Sequence, residues 1–203
     1  MFYTGKPEYA NTNSDDEFLA MLADGGFQVG ELAKRMYPDG IDIKTKDVGA
    51  AIAETSELLK QDTVTVFEPA IVFEGLLVRV DVLIKRGKVF EVIEVKAKSY
   101  SGDVSEMVGA RGGIKSNYLP YLQDVAFQKY VVQNAFPGST VTAHLLMPDK
   151  SKTATVNGLN QYFKVKRNGR QTDLLVDERA KQPSLAESVL TCVCVDHLVN
   201  EIL

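Results

Sequence analysis

The stretch Leu77–Ser99 reads L-V-R-V-D-V-L-I-K-R-G-K-V-F-E-V-I-E-V-K-A-K-S, and its reading decides the fold. Leu76 to Ile84 and Val89 to Ala97 are rich in apolar and β-branched residues. They predict two strands joined by a tight turn at Arg86-Gly87. Asp81, Glu94 and Lys96 interrupt these otherwise core-like runs. A charge in a buried strand is costly unless it is paired or binds a metal. Strand parity tests whether the three meet. With a two-residue turn at Arg86-Gly87, Lys85 faces Lys88, and Asp81 pairs with Val92 and lies diagonal to Glu94. Positions 92, 94 and 96 share a face because the strand period is two. Diagonal neighbours lie about 7–8 Å apart, which two carboxylates can bridge through one ion.

Working outward, Thr63 to Phe67 and Ala70 to Phe73 read as further strands, so residues 63–97 form a β-meander. Two helices precede it. Ser14-Asp-Asp-Glu17 is a capping box. The periodic positions behind it predict one kinked helix or two short ones, interrupted at Gly25-Gly26 and ending near Met36. Asp47 to Lys60 is the second helix, with Val48, Ala51, Ile52, Thr55, Leu58 and Leu59 at helical spacing. After the meander, Ser99 to Ser116 is polar and Gly-rich, and long for a structureless connection, so it is expected to be either functional or mobile. Tyr118 to Asn134 predicts a third helix and Thr140 to Met147 another strand. In the tail, Ser151 to Asn168 reads as a hairpin, and a last helix runs from Pro183 to Leu203. Strands arrive as a run before a helical crossover, so the expected class is α/β with a mixed central sheet flanked by helices.

The chain has 203 residues, 45% apolar and 25% charged, which suits one domain over 1–203. Both ends look cut, and a piece of a longer protein is expected. No apolar run approaches the roughly 20 residues of a membrane span, and the first residues lack a signal-peptide pattern, so a cytoplasmic protein with no membrane partner is expected. The net charge of −4 does not advertise nucleic-acid binding. Two local basic sets stand against it: Lys164, Lys166, Arg167 and Arg170, and Lys96, Lys98, Arg111 and Lys115. Solvated loop charge explains either set equally well. Cys192 and Cys194 cannot complete a four-thiolate zinc or iron–sulfur site, so an iron–sulfur cluster is not supported, and both are expected as buried structural thiols. His144 lies in an apolar strand and His197 in a terminal helix, with no ligand partners in sequence.

Asp81 and Glu94 are hard oxygen ligands of the kind Mg²⁺ takes, and the Val95 carbonyl offers a third oxygen. A water on such an ion is acidified into a nucleophile for phosphorus. Lys96 can orient that water or stabilise charge on the phosphate. The same pattern also fits a structural Asp–Lys or Glu–Lys pair on a solvent-facing strand.

Asp81 followed by Glu94-Val95-Lys96 resembles the D…ExK signature of the PD-(D/E)XK nuclease superfamily. Asp124-Val-Ala-Phe-Gln-Lys-Tyr130 resembles the Gln-and-Tyr helix motif of its RecB-like exonuclease branch, which includes CRISPR-adaptation nucleases. The resemblance covers roughly residues 14–147. It implies a restriction-endonuclease-like αβββαβ core and a DNA nuclease, exonucleolytic, in repair or defence, using Mg²⁺ or Mn²⁺. It implies Asp81 and Glu94 as metal ligands and Lys96 as catalytic lysine, with Gln128 and Tyr130 beside the DNA. Lys98 is a further expected substrate contact. The acidic residue that family members bring from the first helix is matched by Glu31, with Glu68 as a weaker alternative. Three departures stand: Val80 precedes the Asp where Pro is common, Tyr130 follows Gln128 by two residues rather than four, and the first helix carries no His. The rival expectations are a nucleic-acid-binding module that keeps the fold without cutting and a structural domain of a larger protein.

Overall fold

A computed structural model describes residues 17–157, 159–168 and 171–203; the side chains of residues 17–24, 160, 165–174, 180 and 181 lie outside that description. The chain is mixed α/β, built on a six-stranded sheet with helices on both faces. Helix α1 spans Glu17–Arg35 and is one uninterrupted helix. Gly25 and Gly26 do not break it, although glycine is a poor helix former, and the Ser14 capping box falls outside the described residues. The short strand β1 is Ile41–Asp42. Helix α2, Val48–Leu58, starts where the Asp47 carboxylate accepts the Ala50 N–H at 2.7 Å.

Strand β2 is Thr63–Phe67, β3 is Ala70–Phe73 and β4 is Leu76–Arg79. Strands β5, Val82–Arg86, and β6, Val89–Val95, form the central hairpin. The expected single strand from Leu76 to Ile84 is therefore two. The chain bends at Val80-Asp81, and β4 pairs with β3 in a separate hairpin. Apolar content alone could not reveal this break, because both halves bury one face. Helix α3 is Leu119–Ala135 and leads to β7, Thr140–Pro148, parallel to β6. The sheet order is β1-β2-β5-β6-β7-β10, antiparallel except for the β1–β2 and β6–β7 pairs.

The tail departs from expectation. The hairpin is β8, Phe163–Asn168, with β9, Gln171–Val176, and lies later than the expected 151–168. Helix α4 is only Pro183–Glu187; β10, Leu190–Cys194, and the short α5, Asp196–Asn200, replace the long helix. The run Leu-Thr-Cys-Val-Cys-Val is β-branched, and an open sheet edge at β7 was there to accept it. Cys192 is half-buried in that strand and Cys194 is exposed, so only the first fits a packed thiol.

Two cores flank the sheet. On one face, Leu83, Phe90, Val92, Val141, Ala143, Leu145 and Met147 pack against α2 and α3. On the other, Val82, Ile84, Ile93 and Leu146 meet Leu32 and Ala33 of α1 and Leu185 of α4. The period-two alternation thus assigns each strand position to one helix layer. No helix among the described residues is long and apolar enough to cross a membrane.

Candidate active site

The turn between β5 and β6 is two residues long, as parity requires, but it is Gly87-Lys88: Arg86 pairs with Val89 and Val82 with Ile93. Gly87 has φ 57°, the left-handed conformation such turns demand. The shift of one residue from the expected turn moves the register by two. The expected Asp81–Val92 pair does not form: β5 begins at Val82, Val92 pairs with Leu83, and Asp81 stands at the bend just outside the paired strand. The row 90-92-94-96 faces α3, and Lys96 follows just after the strand ends.

The α3 side is closely tied. Glu94 is only 8% exposed. Its Oε2 accepts the Gln128 Nε2 at 2.6 Å, and its Oε1 lies 2.7 Å from the Lys96 ammonium. The same ammonium reaches Asp124 Oδ2 at 3.0 Å and sits over the Tyr121 ring, 5.5 Å from its centroid. Burial alone would lower the Lys96 pKa, but Glu94 and Asp124 outweigh it and hold the group above the usual lysine range. Lys96 therefore stays an ammonium.

Asp81 is mostly buried at the bend, and its Oδ2 accepts the Val95 N–H at 2.7 Å. Burial, and then the negative charge of Glu94, push its carboxyl far above the ordinary carboxylate range, against the opposing Val95 hydrogen bond. Two carboxylates are thus crowded with too little positive charge between them. Glu68 adds to this crowding. It holds φ 57°, a strained conformation that costs on the order of 1–3 kcal/mol, and its N–H donates to the Asp81 carbonyl at 3.2 Å. Arg79 keeps it there. Its guanidinium donates to the carbonyls of Ile43, Thr45 and Glu68 at 3.2, 3.1 and 3.0 Å, and lies 3.8 Å from the Glu68 carboxylate.

On the α1 side a cavity of about 780 Å³ opens between that helix and the sheet, and Asp81, Val95, Glu68 and Glu31 all line it. Glu31 is thus brought to the same cavity as Asp81. Its carboxylate, however, pairs with Lys34 at 3.0 Å and Arg35 at 3.5 Å. Lys98 lies over the Tyr118 ring, 4.7 Å from its centroid. Tyr130 is 42% exposed and meets Phe73 edge-on at 6.4 Å, away from Lys96. Of the two basic sets, Lys115 donates to the Glu106 carbonyl at 2.8 Å and Lys164 is exposed, while the side chains of Lys166, Arg167 and Arg170 lie outside the described residues. Asp124 and Arg79 are the contributors that sequence reading missed. Helical spacing from Gln128 puts Asp124 on the same face and signals the first; nothing local signals the second.

Among the described residues no three His, Cys, Asp or Glu groups gather closely enough to hold an ion. Asp81 and Glu94 are the nearest hard-oxygen pair at the end of β6, and the Glu94 charge that raises the Asp81 carboxyl is of the sign a cation would offset. Mg²⁺ is commonly held by one or two carboxylates, with substrate phosphates and waters completing its shell, so the pair fits that mode. Comparison with protein-family models, with curated proteins and with solved structures finds no match.

Proposed function

We propose that this protein is a metal-dependent DNA nuclease of the PD-(D/E)XK type, acting from strand ends. The observation that carries the reading is the conjunction at the end of β6. The Asp81 carboxylate is held on the Val95 N–H, next along β6 from Glu94, and a permanently charged Lys96 is fixed beside Glu94 by contacts with α3. The sheet supports it too. Strands β2, β5 and β6 form an antiparallel meander, and β7 joins parallel to β6 after the α3 crossover, which is the strand arrangement expected of an αβββαβ core. A bound Mg²⁺ or Mn²⁺ supplies Lewis acidity and an acidified water. Asp81 and Glu94 hold that ion, the Val95 N–H fixes Asp81, and Gln128 fixes Glu94. Lys96 presents its ammonium where charge grows on the phosphate oxygens, and a preset cation there needs no reorganisation during reaction.

A second reading keeps the fold as a nucleic-acid-binding domain that does not cut. One observation favours it: the described residues assemble two carboxylates, not three, at the site. Incubation of linear single- and double-stranded DNA with Mg²⁺ or Mn²⁺ separates the two. Cutting that Asp81→Asn and Glu94→Gln both abolish supports the nuclease. Intact DNA, with no metal-dependent rise in melting temperature, sinks it.

A further inference from the structure

The cavity beside α1 gathers three cations that the metal site does not use. Its basic lining is Lys34, Arg35 and Lys44; its acidic lining is Glu31, Asp42, Glu68 and Asp81. Four carboxylates against three cations leave a formal charge of −1, which one divalent ion at Asp81 turns into +1. That balance suits a singly charged phosphodiester.

The cations are held in a way that leaves capacity. Lys34 is shared between Glu31 at 3.0 Å and Asp42 at 2.9 Å. Arg35 reaches Glu31 only at 3.5 Å through one terminal nitrogen, and its buried Nε has no hydrogen-bond partner among the described residues. An orphaned buried donor is costly, and a guanidinium edge is shaped for two oxygens of one phosphate. Lys44 is exposed. The preceding turns of α1 are open: a Cβ at Gly26 or Gly30 would meet nothing within 4 Å. Phe27, 47% exposed, stands in those turns and offers a ring to a base, which a free phosphate would not use.

We propose that this cavity binds the sugar-phosphate backbone of a nucleic-acid strand. Lys34, Arg35 and Lys44 take a phosphate next to the one at Asp81, and Glu31 occupies that phosphate's place on Lys34 and Arg35 until the strand arrives. The proposal shares with the nuclease reading an ion at Asp81, which the charge balance needs, but it does not require cutting.

The test is fluorescence anisotropy of a labelled oligothymidylate against the full chain with added Ca²⁺, a hard ion taking the same kind of oxygen ligands, across a salt series. Lys44→Ala removes an exposed side chain and leaves the fold intact. It is expected to weaken binding about five- to tenfold and to lower the slope of log K against log salt by about one. Glu31→Gln frees Lys34 and Arg35 and is expected to tighten binding about fivefold, by the same electrostatic logic. An unchanged slope in the first variant, or equal or weaker binding in the second, overturns the proposal. Displacement of the strand by micromolar inorganic phosphate at constant ionic strength would replace the strand with a small phosphate and overturn it as well. If both variants behave as expected while Mn²⁺ leaves DNA uncut, the groove stands and the nuclease reading falls. If DNA is cut and the affinities do not move, the groove alone falls.

Discussion

The two sides of the end of β6 are built differently. Toward α3, Glu94, Lys96, Asp124 and Gln128 form a closed chain of contacts between 2.6 and 3.0 Å. Toward α1, Asp81 looks into an open cavity, where Glu31, Lys34 and Arg35 are paired with one another rather than with the site. The closed side sets the position of a lysine before any ligand arrives. The open side holds charges in pairs that an incoming anion and cation can exchange. The proposed binding of a metal and a phosphate together would use both kinds of wall.

The sharpest way to break this comparison is at the carboxylates. Asp81→Asn is expected to lower cleavage about a thousandfold or more, since it removes a ligand of the ion that supplies the nucleophile. At a metal concentration of about a hundred times Kd, the wild type gains roughly 2.7 kcal/mol from the ion, and the variant loses that gain. Without metal the sign reverses. Asp81 is buried against Glu94, so the neutral amide is expected to leave the metal-free protein as stable or more stable. Thermal melts with and without Mn²⁺ measure both. A variant destabilised in the absence of metal would mean that Asp81 is a structural ion-pair member.

Next in size is a control on the same helix. Lys129, one residue from Gln128, is 8% exposed and donates to Asp196 at 2.6 Å and Asn200 at 2.7 Å, which docks α5 on α3. Lys129→Met takes the only ion-pair partner described for Asp196, leaving it the Ala143 N–H and the Asn200 amide, and is expected to cost up to about 3 kcal/mol of folding stability, read by urea unfolding. Cleavage per folded molecule should not change. A loss of rate that exceeds the loss of folded protein would place Lys129 in the site.

Gln128 should behave in the opposite way. Gln128→Leu removes the 2.6 Å hydrogen bond to Glu94 and is expected to weaken metal affinity or rate about 10–100-fold, as loss of a ligand's supporting contact does. Its effect on the urea midpoint should be small. Mn²⁺ titration of the two variants side by side decides whether adjacent residues divide into site and scaffold.

How much of this was legible in sequence depended on the range of the interaction. Parity across one short hairpin assigned Asp81, Glu94 and Lys96 to one face, but Asp81 stands at the bend before β5 and lines the cavity beside α1, while Glu94 and Lys96 meet α3. The register came out by two because Gly87 can supply the positive φ as the first turn residue, and Arg86 then stays in the strand. The break at Val80-Asp81 was not legible. It depends on Arg79 gripping carbonyls of Ile43 and Thr45 more than thirty residues away. Nor was β10, whose pairing needed the edge of β7. Glu31 was legible as a residue of the right helix; its pairing with Lys34 and Arg35 follows from i+3 and i+4 spacing, and a sequence reading can draw it.

The smallest expected effect separates a support from an ornament. Asp124 is half-exposed and completes the closed side only by touching Lys96 at 3.0 Å. Glu94 already holds that ammonium at 2.7 Å from a buried position, so one strong partner survives in Asp124→Ala. An exposed ion pair contributes up to about 1 kcal/mol, and the variant should lose no more than that in urea unfolding. Its rate should fall only a fewfold, because Lys96 keeps its charge and gains freedom to swing toward Tyr121. Asp124→Asn, which still accepts a hydrogen bond, should recover most of that loss. If Asp124→Ala instead matched Gln128→Leu in rate, Lys96 would be positioned mainly from the helix, and the closed side would depend on α3 rather than on β6.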